Sequence, residues 1–335
     1  MSTQDAMNAV LQGSLDAGWK TPVPMTNGIA MVTERFTYDN KFVEDNAKVG
    51  KKGAGKMIKT GGAALGSISI LLTPDEAGLM LAWALGYENP VTDVVSSIGG
   101  KHHEFVGVPY GNTRLPSMTF ICYRVSEIQR YISNQVVDWT LNVTPNGLIT
   151  MDITTRGYTE LENTTPEYPT VIYDSLLLPS TLDYYKTCKG VLQIDLGDFG
   201  KIDSFTITGN NNLTDRGQGL AGDCGPRENM AGSRVYTVNF AAEFDATAAT
   251  MREAKYKKGD SIALALELQT GEEYEAGYLY KMGFDLPQLI LTQFDANVPD
   301  SGEITVTGVG QSYEATGSEA LYAWVEDLRA TTYLP

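Results

Sequence analysis

The most legible pattern in the chain lies at residues 66–86, "GSISILLTPDEAGLMLAWALG". Ile68, Ile70 and Leu72 alternate with other residues at the period of a strand with one apolar face. Thr73, Pro74 and Glu76 then carry the spacing of a helix start: a cap residue, proline at the first helical position, and a glutamate that closes a capping box. Leu81, Ala84 and Leu85 supply an apolar stripe, and Gly86 stops the helix. A strand is predicted to run directly into a short helix.

Around this segment the pattern is mainly of strands. Residues 1–30, with Gly18, Pro22, Pro24 and Gly28, read as an N-terminal arm or irregular strand. A strand follows at Met31–Tyr38, and Asn46–Gly62, rich in glycine and lysine and without periodicity, reads as a long loop. The stretch Glu88–Pro116 is turn-rich and reads as irregular. Three strands then form a meander. "SMTFICYR" (117–124) is apolar on both faces. "QVVDWTLNV" (135–143) turns Val137, Trp139, Leu141 and Val143 to one side. After a Pro145-Asn146-Gly147 turn, "LITMDITTRGY" (148–158) points Ile149, Met151 and Ile153 inward.

The second half repeats this order. A strand and polar loop ("FTITGNNNLTDRG", 205–217) and an alternating strand ("SRVYTVNFAAEF", 233–244) precede a helix (246–259) that Asp245 can cap. "SIALALEL" (261–268) puts Ile262, Leu264, Leu266 and Leu268 on one face. A long strand near Tyr278–Asp295 is interrupted at Pro287, and the last clear strand is "EITVTGVGQSY" (303–313). The expected organisation is an arm (1–30), a first β domain (31–165), a connector (166–200) and a second β domain (201–335). The two domains read as an internal duplication, with the link after the first helix as an insertion.

Composition narrows the function classes. The 335 residues suffice for two cores. No apolar run reaches the length of a membrane helix, and the polar N-terminus carries no export pattern, so a soluble chain is expected. Cys122, Cys188 and Cys224 are few, odd in number and without zinc spacing, which fits a reducing cytoplasm. A net charge of −16 disfavours ordinary nucleic-acid binding, because phosphates are held mainly by Lys and Arg. It fits either an ordinary acidic surface or one that faces DNA without holding it.

The chemical motifs are weak. "GKKGAGKM" (50–57) matches a phosphate loop through Lys56, but Met57 stands where Ser or Thr must hold magnesium. Adjacent His102 and His103 point to opposite faces of an extended chain and read as a solvated loop rather than metal ligands. "TGNNNLTDRG" lacks the spacing of a calcium loop, Glu272-Glu273 reads as a hairpin tip, and no Ser-His-Asp grouping exists. Trp83, Trp139 and Trp324 sit in patterned segments and read as core or interface residues. No catalytic residue, metal ligand or cofactor site is expected.

The order of these elements resembles the phage tail tube protein family. The resemblance rests on "GSISILLTPDEAGLMLAWALG", "LPSMTFICYR", "VVDWTLNVTPNGLITMDITTRGY" and "SGEITVTGVGQSYEA", and spans roughly Met31 to Tyr313. It implies a mainly β (α+β) chain: an antiparallel β-sandwich or barrel-like tail tube fold, with a short flanking helix in each repeat. It also implies a virion protein made in the host bacterial cytoplasm. Its partners would be copies of itself in stacked rings, other tail proteins, and double-stranded DNA passing through the lumen, with no membrane. Two repeats per chain favour a trimeric ring of pseudo-six-fold symmetry over a hexamer. Lys48, Lys51, Lys52, Lys56 and Lys59 are the candidates for ring-to-ring contact, a basic loop in an acidic protein. Strands near 117–124 and 261–268 are the expected subunit seams. The alternatives are a tube subunit of a contractile injection particle and, in another class, a glycan-binding or adhesin-like β-sandwich.

Overall fold

The computed structural model describes residues 9–45, 56–95, 97–109, 114–124, 127–144, 147–162, 177–195, 197–198, 202–217, 225–244, 246–297 and 304–335. The first half contains β1 (Ala9–Leu15), β2 (Asn27–Ile29), β3 (Met31–Glu44), β4 (Met57–Leu71), α1 (Pro74–Leu85), β5 (Gly86–Glu88), β6 (Thr92–Asp93), β7 (Lys101–Gly107), β8 (Met118–Arg124), β9 (Glu127–Val143), β10 (Thr150–Gly157) and β11 (Thr159–Glu162). The second contains β12 (Lys186–Ile194), β13 (Gly197–Asp198), β14 (Ile202–Asn210), β15 (Val235–Glu243), α2 (Ala246–Ala254), β16 (Ile262–Glu275), β17 (Tyr278–Asn297), β18 (Thr305–Ser312) and β19 (Tyr322–Asp327). The named strands pair antiparallel throughout, which makes the molecule mostly β.

Two sets of strands share one pairing scheme. The first set runs β3-β4-β10-β9-β8-β1-β2 and the second β14-β15-β18-β17-β16-β12-β13. The irregularities coincide as well. Val32 is skipped between β3 and β4, as Asp203 is between β14 and β15. Val137 bulges from β9 and Thr292 from β17. Thr119 faces Ile132-Ser133 across one irregularity, and Ala263 faces Pro287-Gln288 across another. A bulge bends its strand and raises the local twist. Both long strands, β9 and β17, therefore change direction at matching points, and Pro287 lies at such a point and leaves β17 continuous. The sets join where β14 pairs with β9, from Phe205↔Val143 to Asn210↔Asp138.

Helix α1 forms where its start and stop signals place it, but its start is built differently. Thr73 makes no side-chain cap, and Gly86 ends the helix at φ 88°, its N–H donating to Ala82 O. Glu76 does not close a capping box, because its Oε1 accepts the Ala30 amide at 2.8 Å and so ties the helix to the β2–β3 turn. Nor is α1 amphipathic: of its residues, Asp75 alone is exposed, because β7 and β19 cover the side turned away from β9. Helix α2 keeps a one-sided core contact through Ala248 and Met251.

Several expectations are corrected. Strand β3 runs on to Glu44, past the expected end at Tyr38, and β4 begins at Met57, inside the expected Asn46–Gly62 loop; residues 46–55 lie outside the described residues. The "irregular" Glu88–Pro116 stretch contains β6 and β7, and β7 pairs with β19, a strand the pattern did not reveal. The expected arm supplies β1, which lies between β2 and β8 with Leu11 fully buried. The expected 166–200 connector contributes β12, paired with β16. The bulge at Val137 flips the alternation, so that Val136 is buried in its place. The tip of the β16–β17 hairpin is Ala276-Gly277, beyond Glu272-Glu273.

Candidate assembly surfaces

Inward positions of both sets converge on one core containing Trp83, Trp139, Phe120, Phe205, Phe240 and Phe284, all at most 2% exposed. Asn211 is buried at its margin: its Nδ2 donates to Ala84 O and Val136 O, each at 3.0 Å, which accounts for one asparagine of the polar "GNNN" run. Trp324 sits at the rim, its indole N–H donating to Asp285 at 3.1 Å.

The opposite face of the sheet β3-β4-β10-β9-β14-β15-β18-β17 is polar. Ser69, Asp152, Thr140, Thr208, Thr237 and Gln311 lie in register across six adjacent strands. A neighbouring row places Asn142, Thr206, Asn239, Val309 and Gln293 side by side. Alternation produces this: each strand sends its apolar residues to the core and its hydroxyls and amides outward. Arg156 on this face is bonded to Asp215.

The β3–β4 hairpin leaves the body beyond Tyr38. Phe42, Val43, Met57 and Ile58 are each about half exposed, at 50%, 57%, 57% and 48%. Of the candidate lysines, Lys48, Lys51 and Lys52 lie outside the described residues. Lys56 is exposed next to the start of β4, where a strand rather than a phosphate-loop helix follows. Lys59 lies on β4, with its Nζ 4.9 Å from the Tyr38 ring centre.

Both ends of the eight-strand run from β3 to β17 are open among the described residues. Among the described residues β3 pairs with β4 alone, and residues 290–297 of β17 pair with β18 alone. By contrast β8 is flanked by β1 and β9, and β16 by β12 and β17, so the expected seams at 117–124 and 261–268 have no free edge.

The histidines are not in a solvated loop. Both lie on β7, and His103 is fully buried. Its Nδ1 donates to Glu88 Oε1 and its Nε2 to Arg329 O, both at 2.7 Å, with Asp327 Oδ1 3.3 Å from Nε2. Burial alone would depress the imidazole pKa. The hydrogen bonds to Asp327 and Glu88, the Asp327 charge and the Arg329 carbonyl outweigh it and raise the pKa to about 9. The second Glu88 oxygen accepts the amides of Tyr333 at 2.7 Å and Leu334 at 3.1 Å. The Tyr333 hydroxyl donates to Asp327. This cluster fastens the C-terminal segment to β5 and β7, a structural task. Among the described residues no group of three or more His, Cys, Asp or Glu side chains could hold a metal ion.

A cleft of 430 Å³ beside this cluster is lined in part by Asp75, Glu76, Tyr280, Asp327, Arg329 and Tyr333. Three of its polar residues are committed to the fold: Asp75 to Ser180, Asp327 to Tyr333, Arg329 to the carbonyls of Thr331 and Thr332.

The model of the phage tail tube protein family matches residues 9–317, nearly the whole chain, and the chain belongs to that family. No curated protein matches it. It is a structural protein of the phage tail tube.

Proposed function

We propose that the chain closes into homo-oligomeric rings that stack into a hollow tube, with the polar face of the eight-strand run lining a bore for double-stranded DNA. The observation that carries this is the row of hydroxyl and amide side chains in register from Ser69 to Gln311. A wall of this kind offers DNA mainly hydroxyl, amide and carboxylate groups, with cations such as Arg35 and the Asp215-bonded Arg156 a minority, and phosphate affinity comes mainly from Lys and Arg. The formal charge of −16 adds repulsion. DNA can then slide without sticking.

The shared pairing scheme and coincident bulges support reading the chain as two repeats, 9–162 and 186–327, with β5–β7 as an insertion in the first. Three chains would then give a pseudo-six-fold ring. Three runs of eight strands, at about 4.8 Å per strand, enclose a barrel about 37 Å across between backbones before tilt widens it. Side chains projecting from that wall leave room for a DNA duplex. Six chains would double the diameter and leave a duplex loosely held, so the trimer is the better fit. The exposed hairpin, with Lys56, Lys59 and the lysines at 48, 51 and 52, would reach the next ring. Other tail proteins would cap the stack. The virion tail is the expected location, after synthesis in the host cytoplasm.

Negative-stain electron microscopy of the purified chain, with DNA filter binding near 0.15 M salt, tests this. Rings or tubes that retain no duplex DNA are expected. A lasting monomer at high concentration, or tight DNA retention, would contradict it.

A further inference from the structure

We infer that the subunit seam is a β-ladder between residues 293–297 of β17 in one copy and residues 35–39 of β3 in the next, in one fixed register. This rests on the tube reading given above. Within the chain, β9 of the first set pairs with β14 of the second. The bulges fix how the sets align. Val137 corresponds to Thr292 and Val32 to Asp203, so each β9 position has a β17 counterpart and each β14 position a β3 counterpart.

Carried through that alignment, the internal junction becomes Gln293↔Asp39, Phe294↔Tyr38, Asp295↔Thr37, Ala296↔Phe36 and Asn297↔Arg35. Both strands named have their second edge open, which is where such a ladder needs it. Long unpaired edges are otherwise a liability that proteins cover or blunt. The chain shows a provisional cover. The Phe36 amide donates to Glu34 Oε2 at 3.2 Å, and the Phe36 carbonyl accepts the Tyr131 hydroxyl at 3.3 Å. A neighbouring strand would take over these backbone groups.

The seam also gains a specific side-chain contact. At the internal junction the hydroxyls of Thr140 and Thr208 are 3.2 Å apart. Their counterparts are Asp295 and Thr37, both exposed in the single chain. A threonine hydroxyl donating to a carboxylate is a charge-assisted bond, stronger than its neutral model. The second copy is therefore recognised by register as well as by edge. Because β17 and β3 are different strands, the contact is head-to-tail, the kind that forms a ring when the rotation between copies closes.

Paired cysteines test the register. Cys188 and Cys224 are first replaced by Ser, and Thr37→Cys is combined with Asp295→Cys. Opposed residues of an antiparallel pair lie within reach of a disulfide. Assembly followed by oxidation should give a non-reducing gel ladder that ends at three chains, lost on reduction. Thr37→Cys with Gln293→Cys, out of register, should give at least ~10-fold less. Thr140→Cys with Thr208→Cys should close within one chain whether or not rings form. Tubes with no Thr37–Asp295 cross-link, or with equal cross-linking of the shifted pair, would overturn the seam and leave the tube reading intact. Absence of any ring from the wild-type chain would defeat the tube reading itself. If the cysteine variants fail to fold, hydrogen exchange on the wild-type chain decides. Amides 35–39 and 293–297 should gain protection on assembly, and unchanged exchange there would overturn the seam.

Discussion

Thr140 on β9 and Thr208 on β14 share a 3.2 Å hydrogen bond across the line where the two strand sets meet. That line lies on the polar face, in the row that runs from Ser69 to Gln311. Cross-strand threonine pairs of this type contribute about 0.2–1 kcal/mol. Thr140→Val and Thr208→Val should each lower stability by about 0.5 kcal/mol. A double-mutant cycle in urea should return a coupling of similar size. Additive effects would mean that the pair does nothing at the junction.

Gly209 lies beside Thr208, and its backbone runs under a buried ring. A Cβ there would sit 2.4 Å from Trp139 Cε2, and the ring cannot yield without disturbing the core. Gly209→Ala should destabilise the chain by about 1–3 kcal/mol in a urea melt. A neutral result would show that the β9–β14 contact is looser than the structure has it.

The exposed hairpin should behave as an assembly element without a folding role. Replacing Phe42 and Ile58 with Ser removes apolar surface that is already about half in water. Melting of the single chain should move by less than about 0.5 kcal/mol. Tube length in electron micrographs should fall sharply, with rings still formed. Replacing Lys48, Lys51, Lys52, Lys56 and Lys59 with Gln should weaken stacking most at low salt, since exposed charges are screened as salt rises. Tubes of normal length in both variants would remove the hairpin from the stacking contact.

Stability should fall as pH rises from mildly acidic to alkaline. Burial raises the Glu76 carboxyl to about 7 and the Asp16 carboxyl to about 6. A raised carboxyl stabilises the fold while protonated, fully below its unfolded value near 4, and that contribution is lost as pH climbs through 7. His103, raised to about 9, contributes fully below about 6.5 and loses its contribution through pH 9. Glu76→Gln should stabilise the chain at pH 8 and leave pH 5 nearly unchanged. His103→Gln should lower stability by roughly 3 kcal/mol at pH 6, where a buried charge pair is broken, and by less at pH 10. Flat profiles for the wild-type chain from pH 5 to 9 would contradict both assignments.

The legible parts of the fold were those with local signals. Pro74 and Gly86 bracket α1, and the alternation at Ile68-Ile70-Leu72 and Ile262–Leu268 survives because the extra residues beside them, Val32 and Pro287-Gln288, lie on the partner strands. Val137 misled because a bulge is a tertiary event that reverses facing without changing composition. β7 was hidden by its histidines: "KHHEF" reads as polar until Glu88 and Asp327 supply buried partners from distant segments. β19 buries Ala323, Val325 and Asp327, too small and too polar a set to announce a strand. The strand from Met31 was drawn too short and the Asn46–Gly62 loop too long, because exposed stretches such as 39–44 and 57–60 have no core face to impose a period. The polar face was written in the alternating threonines, yet its continuity across strands follows from register alone, which no local pattern contains.

The most direct test of the ring is a three-dimensional reconstruction of assembled tubes by electron cryo-microscopy, with the mass of a single ring measured in parallel. Rings of three chains of 36.4 kDa, about 109 kDa, are expected, with β17 of each copy paired to β3 of the next and Thr140, Thr208 and Asp152 facing the bore. Rings of six chains, or a bore lined by the hairpin or by helix α2, would contradict it.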